Sequence, residues 1–218
     1  MKPGWLSRGI YHVVPTVCRY LFGPAMTCLT GVRHFNVPAA SRLSGVLIAS
    51  NHQSFLDPVL IGIALERPIH YLARRSLFHV PGLNVAIRML GAHPVSRDTK
   101  DGTAVRTILR ILRSGEAMLL FPEGTRSWDG SVGAFQAGVG SIAARFGVPV
   151  LPVCIEGAVR CWPRTRSLPA PARVAVAYGE LVSPAEGDAA AITNAVIRQI
   201  VRMQDFLRQH LAYGAPGR

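Results

Sequence analysis

Short unbroken apolar runs alternate with segments of helical spacing along most of the chain. Val46–Ala49, His70–Ala73, Ala92–Ser96, Ala117–Phe121, Val148–Ile155 and Arg173–Tyr178 read as strands. Pro149 and Pro152 argue against ordinary central pairing for the fifth of these. Between them lie predicted helices at Pro58–Leu65, Leu83–Leu90, Asp101–Ser114 and Gly138–Phe146. The third has Val105, Ile108, Leu109 and Leu112 as its apolar stripe; Gly91, Gly115 and Gly147 follow the last three as stops. Ala189–Leu211 is the longest predicted helix, with Ile192, Val196, Ile200, Met203 and Leu207 on one face. A polar turn fills Ala39–Ser44, and a basic, proline-rich loop fills Ala158–Ala172. Strands alternating with helices predict the α/β class: one domain with a largely parallel or mixed central sheet flanked by helices.

The N-terminal part has a different texture. Leu6, Ile10, Val13, Val17 and Leu21 recur at helical spacing, but charges interrupt them and Pro15 and Pro24 would kink the segment. Its charge-free run, Tyr20 to Val32, is shorter than the ~20 apolar residues a span requires. We expect two short helices at a membrane interface, with Trp5, Tyr11, Tyr20 and Phe22 as anchors. Helices packed on the domain's own core are the other reading. A signal peptide lacks a clear small-x-small cleavage site. The expected division is residues 1–33 for this membrane-associating segment and residues 34–218 for the main domain.

Charge adds a direction. The 218 residues carry 24 Lys+Arg against 12 Asp+Glu, a net +12, while 49% of residues are hydrophobic. Such a chain seeks polyanions: nucleic acid, an anionic membrane surface or phosphorylated substrates. No zinc-finger spacing or RNA-binding aromatic signature supports nucleic acid, and the apolar excess favours an anionic membrane. Cys18, Cys28, Cys154 and Cys161 show no metal or redox spacing and read as buried free thiols in a reducing compartment.

Two stretches carry candidate chemistry. In Asn51-His52-Gln53-Ser54-Phe55-Leu56-Asp57, a histidine and an aspartate form a base–orienter pair if the backbone turns between them. The plain alternative makes Asp57 the N-cap of the next helix, with Pro58 at its first position. In Phe121-Pro122-Glu123-Gly124-Thr125-Arg126-Ser127, Gly124 permits close approach and Arg126 offers a donor fork suited to phosphate. Thr125 and Ser127 add hydroxyls, and Glu123 is placed to hold an arginine or a substrate hydroxyl. A tight surface turn with a salt bridge is the plain alternative here. The other histidines form no metal spacing and read as surface or capping residues.

Together these stretches resemble the PlsC-like glycerolipid acyltransferases, the 1-acylglycerol-3-phosphate O-acyltransferase family. His52 and Asp57 match its HX4D block, and Phe121–Ser127 matches its third block residue for residue. Gly91–Arg97 resembles the second block, loosely at His93-Pro94, and Val148–Val153 matches the fourth. The resemblance covers roughly Gly45–Gly157. It departs at Phe135-Gln136-Ala137-Gly138, where the family often has Phe-Lys-x-Gly.

The resemblance implies transfer of a fatty acyl group from acyl-CoA or acyl carrier protein to the hydroxyl of 1-acyl-sn-glycerol 3-phosphate. His52 would be the general base and Asp57 its orienter. Glu123, Gly124 and Thr125 would position the acceptor, and Arg97 and Arg126 would bind its phosphate. It implies no metal, no cofactor beyond the thioester co-substrate, no covalent acyl-enzyme, and a place on the cytoplasmic face of the cell membrane. Another lysolipid acceptor, a non-catalytic membrane-binding module, a lipid hydrolase and a basic RNA-binding domain remain as rivals. A Gly-x-Ser-x-Gly elbow is absent, which disfavours the usual serine hydrolase.

Overall fold

The computed structural model describes residues 23–95 and 102–213. Expectations for residues 1–22, for Arg97 and for the start of the Asp101 helix lie outside the described residues. No helix among the described residues is long and apolar enough to cross a membrane.

Among the described residues, seven strands form one sheet: β1 (Arg33–Phe35), β2 (Leu47–Ser50), β3 (Ile69–Arg74), β4 (Ala92–Val95), β5 (Ala117–Leu120), β6 (Val150–Glu156) and β7 (Ala175–Tyr178). Their order is β1-β7-β6-β2-β5-β3-β4. Every neighbouring pair is parallel except β6 and β7, so the sheet is mixed. β2 lies between β6 and β5 and is buried along its whole length, which is why it reads as a continuous apolar run.

The helices are α1 (residues 23–30), α2 (Asp57–Gly62), α3 (Leu83–Met89), α4 (Thr103–Arg113), α5 (Gly138–Phe146), α6 (Ala158–Cys161) and α7 (Ala189–Tyr213). Alternation along the strands divides the core into two layers. Ile48, Leu119, Leu151, Val153 and Val176 pack on one face with Leu60 and Ile61 of α2, Cys161 of α6 and Met26 and Leu29 of α1. Leu47, Ala49, Met118, Val150 and Cys154 pack on the other with α4, α5 and α7. The predicted stripe of α7 is the buried one: Ile192, Val196, Ile200 and Leu207 are fully covered. Where α5 crosses α7, Gly140 leaves no room for a side chain. A Cβ there would overlap the Ala189 carbonyl and the Thr193 hydroxyl.

Several expectations are corrected. Pro152 does pair inside the sheet, opposite Ala49 of β2. Its carbonyl accepts Gly179 N–H at 2.8 Å, so its missing donor faces β7 just beyond that strand's last paired residue and takes nothing from β2. In α4 the buried residues are Ile108, Ile111 and Leu112, while Val105 is 40% exposed. Apolar residues there cover a wide arc, and packing on β5 selects a stripe rotated from the expected one. β1 has no apolar run to announce it; its pairing with β7 defines it. A short helix, α6, interrupts the basic loop. Cys154 and Cys161 are buried free thiols, but Cys28 is exposed.

Three histidines expected at the surface are half-buried. Burial lowers His34 and His93 from 6.5 to about 4, with His70 and nearby arginines adding to the effect at His93. An unfolded chain protonates these rings near 6.5, while the folded chain does so only near 4. Within that window the unfolded state binds more protons, so stability falls as pH drops through it and the loss is complete below it. Thermal unfolding at neutral and at mildly acidic pH checks this. The His34→Phe variant should lose about 1 kcal/mol less on acidification than the parent chain.

Candidate active site

β2, β3, β5 and β6 run in the same direction, so the loops that follow them gather at one edge of the sheet. His52 leaves the end of β2 and Glu123 leaves the end of β5, its direct neighbour. Asn51 sets the exit path. Its side-chain amide donates to Ile155 O and accepts from Ile155 N, each at 2.8 Å. The amide thereby continues the β2–β6 ladder beyond its last backbone pair, Ser50 with Val153.

The backbone then turns as the spacing required. His52 Nδ1 lies 2.7 Å from Asp57 Oδ2. The same oxygen accepts Gln53 N–H at 2.6 Å and Ser54 N–H at 2.8 Å. Asp57 therefore does not serve as the helix cap. Leu56 is at the N-cap position, and the carboxylate points back at the preceding turn. An ionised carboxylate only accepts hydrogen bonds, so Nδ1 carries the proton and Nε2 is left as the basic nitrogen. Asp57 is fully buried, whereas the His52 side chain is 19% exposed. Phe121 stacks against the imidazole at 3.9 Å, with the ring planes 15° apart, and fixes its orientation.

The second loop is stitched to the first. Glu123 Oε1 accepts His52 N–H at 3.0 Å, and Ser127 N–H donates to His52 O at 2.7 Å. Both backbone groups of His52 are thus held by the loop after β5. Burial raises the Glu123 carboxyl above its ordinary range, although N–H donors from His52 and Gly133 oppose the shift. Gly124 has φ +67°, and a Cβ there would meet the Gln136 amide at 2.7 Å. Gln136, where the resemblance led us to look for lysine, therefore sits directly behind this turn. Thr125 is exposed at the mouth. Arg126 lies over the Phe55 ring at 3.5 Å, and its Nη1 is buried without a hydrogen-bond partner among the described residues. Burial and the neighbouring Arg164 disfavour its charge, an imbalance that a bound anion would offset. His52, Asp57, Glu123, Gly124, Thr125 and Arg126 thus come together, while Arg97 lies outside the described residues.

With this geometry in place, comparison with known proteins is direct. The model of the acyltransferase family matches residues 32–156, more than half of the chain. The chain belongs to that family. It is 28% identical over 199 residues to a 1-acyl-sn-glycerol-3-phosphate acyltransferase of Pseudomonas aeruginosa, covering 85% of this chain and 76% of that protein. It is 32% identical over 130 residues to the chloroplastic 1-acyl-sn-glycerol-3-phosphate acyltransferase BAT2 of Brassica napus, covering 59% of this chain and 37% of that one. A Bacillus subtilis relative of the same description is 28% identical, and the match covers 63% of it. The matches to these last two thus span between about a third and two thirds of the relative. The crystal structure of the 1-acyl-sn-glycerophosphate acyltransferase PlsC from Thermotoga maritima superposes with a TM-score of 0.75 at 26% identity. That superposition covers 94% of this chain and 81% of PlsC. The family match, residues 32–156, contains both His52 and Asp57.

Sequence reasoning missed the support behind this pair. Gln53 Nε2 and Gln204 Nε2 both donate to Gly130 O, at 2.8 and 2.7 Å. Gln204 also donates to Glu156 Oε2 at 2.9 Å, and Arg208 Nε lies 3.4 Å from the same oxygen. The network ties α7 and the end of β6 to the loop carrying His52. One signal was available: Gln204 is a polar residue on the apolar stripe of α7, and Glu156 ends an apolar strand. Gln204→Leu leaves the Gly130 carbonyl and the Glu156 carboxylate each short of a donor. It should cost about 1–3 kcal/mol in chemical denaturation. Gln204→Glu should cost more, because a second carboxylate then faces Glu156.

Proposed function

We propose that the chain transfers a fatty acyl group from a thioester to the free hydroxyl of 1-acyl-sn-glycerol 3-phosphate, giving phosphatidic acid. The observation carrying this reading is the His52–Asp57 pair standing beside Arg126, a cation with a buried Nη1 that has no hydrogen-bond partner among the described residues. A base for a hydroxyl and a fork for a phosphate are the two groups that a lysophosphatidic acid acceptor requires. Relatives described as acting on that acceptor support the assignment.

In this mechanism, His52 Nε2 takes the proton of the acceptor hydroxyl as its oxygen attacks the thioester carbonyl. Asp57 keeps the proton on Nδ1 and stabilises the imidazolium as it forms. Collapse of the tetrahedral intermediate expels the thiolate, and the imidazolium returns the proton to that sulfur. The acyl group passes directly to the acceptor, so no enzyme nucleophile is needed. Arg126, with Arg97, holds the phosphate through charge-assisted hydrogen bonds. Glu123 holds the His52 backbone and, with Gly124 and Thr125, borders the space for the glycerol. Neither a metal nor a further cofactor enters this scheme. Acyl-CoA and acyl carrier protein both fit as donors, and an anionic membrane surface on the cytoplasmic face is the proposed setting.

A different lysolipid acceptor is the second reading, and Gln136 behind Gly124 is the observation that favours it. A neutral amide there leaves less positive charge for a phosphate than a lysine would.

Thiol release from a long-chain acyl-CoA, with and without lysophosphatidic acid, tests the proposal. Release should require the acceptor, and His52→Ala should lower kcat by about a hundredfold or more. Full activity in that variant would reject the mechanism. Acceptor-independent release of free fatty acid would point to hydrolysis instead. Asp57→Asn should lower kcat while leaving the acceptor KM nearly unchanged, because it disturbs the tautomer rather than binding. Arg126→Lys should do the opposite, raising the acceptor KM about tenfold with kcat largely kept.

A further inference from the structure

We propose that the rim around His52, built by the loops after β2, β5 and β6, is a docking surface for an anionic lipid bilayer. This rests on the reading that the acceptor is a membrane lipid, and it assigns the contact to a surface of the α/β domain itself.

The rim exposes large apolar groups where an isolated domain has no use for them. Phe55 is 43% exposed, Trp128 69% and Leu168 73%. Each belongs to a loop following a strand whose C-terminal end lies at the His52 edge. The loops touch one another. Phe55 and Trp162 lie 5.3 Å apart, Arg126 covers Phe55 at 3.5 Å, and Arg164 covers Trp128 at 4.0 Å. Arg160 in α6 and Arg164 and Arg166 in the loop beyond it are exposed. The end of β3 and the turn after it, at the same edge, continue the pattern with exposed Arg74, Arg75 and Val80.

Negative charge on the rim is sparse beside its arginines. Asp129 in the Trp128 loop is an exposed carboxylate that stays ionised, its Oδ1 accepting the Ser127 hydroxyl and the Ser131 amide and hydroxyl. Glu123 is turned inward onto His52.

This mixture decides the partner. Arginines alone would suit any acidic surface. An acidic protein would leave Trp128 and Leu168 to find apolar pockets of their own. A bilayer takes both at once: rings and aliphatic tips enter the headgroup boundary, and guanidinium groups stay level with the phosphates. Each arginine near an anionic membrane strengthens partitioning about fivefold, and added salt weakens it. A bilayer seated here would also present an embedded lysolipid to the open side of His52.

The test uses the full chain with Trp5→Phe and Trp162→Phe, which leaves Trp128 as the remaining tryptophan of the three. Vesicles of phosphatidylcholine and phosphatidylglycerol with brominated acyl chains serve as probe, read by co-sedimentation and Trp128 fluorescence. The expected result is sedimentation with a blue shift and quenching of Trp128. Arg164→Gln with Arg166→Gln should weaken partitioning roughly 25-fold. Protein that sediments with Trp128 unshifted and unquenched overturns the rim proposal, because another part of the chain then makes the contact. A chain that fails to sediment, yet releases thiol with detergent-dispersed acceptor, overturns the rim and leaves the proposed reaction standing. A Trp128 shift with acyl carrier protein and none with vesicles overturns the lipid assignment in favour of an acidic protein.

Discussion

One carboxylate oxygen organises the active-site edge of this molecule. Asp57 Oδ2 receives the imidazole Nδ1–H of His52 and the backbone N–H groups of Gln53 and Ser54, all within 2.8 Å. A fully buried carboxylate is costly unless it is hydrogen-bonded; all three donors converge on Oδ2, while Oδ1 is buried with no partner among the described residues. The same bonds fold the segment between β2 and α2 into a tight turn. Geometry of the turn, ionisation of the carboxylate and tautomer of the histidine are therefore one constraint. Removing the carboxylate would release the turn as well as the imidazole.

The sheet gives that turn its fixed frame. β2 is interior, and Asn51 prolongs its pairing with β6 by one side-chain amide. Position 52 thus begins where regular structure ends, with little freedom in its direction. The neighbouring strand supplies the remaining restraints through Phe121, Glu123 and Ser127. α7 then closes the arrangement from behind through Gln204 and Glu156, although it follows the motif-bearing region by many residues. The C-terminal helix is consequently part of the active-site scaffold as well as of the second core layer.

Much of this was legible in the sequence, for identifiable reasons. Strands buried on both faces appear as short apolar runs, and β2, β5 and β6 were readable because they are interior. The small-residue run of α5, closed by its glycine stop, was equally clear. β1 was not, because three residues of mixed polarity become a strand only when β7 lies beside them. The stripe of α4 was misplaced because its apolar residues outnumber the positions that packing covers. At the candidate site, the structure brings together His52, Asp57, Glu123, Gly124 and Arg126, which the sequence had singled out by residue type and by their resemblance to the family's blocks. Gln53, Glu156 and Gln204 were not singled out, because their bonds join segments remote in sequence and no local pattern encodes such a meeting. The direction of the Asp57 carboxylate was also hidden: a carboxylate at the start of a helix looks the same in sequence whether it faces the helix or the preceding turn.

The arrangement separates chemistry from recognition in space. His52 and Asp57 are locked between interior strands, with the carboxylate fully buried. Gly124 and Thr125 are exposed, and Arg126 reaches the surface over Phe55. A base that must meet its proton within a few tenths of an ångström belongs on the rigid part. Groups that bind a phosphate tolerate more movement, since charge acts over a longer range. Substitutions such as Gln136 for lysine can therefore alter what is held without touching the pair that reacts. On the proposed reading, the loop after β5 and the residues behind it carry the acceptor specificity, and the turn after β2 carries the reaction type.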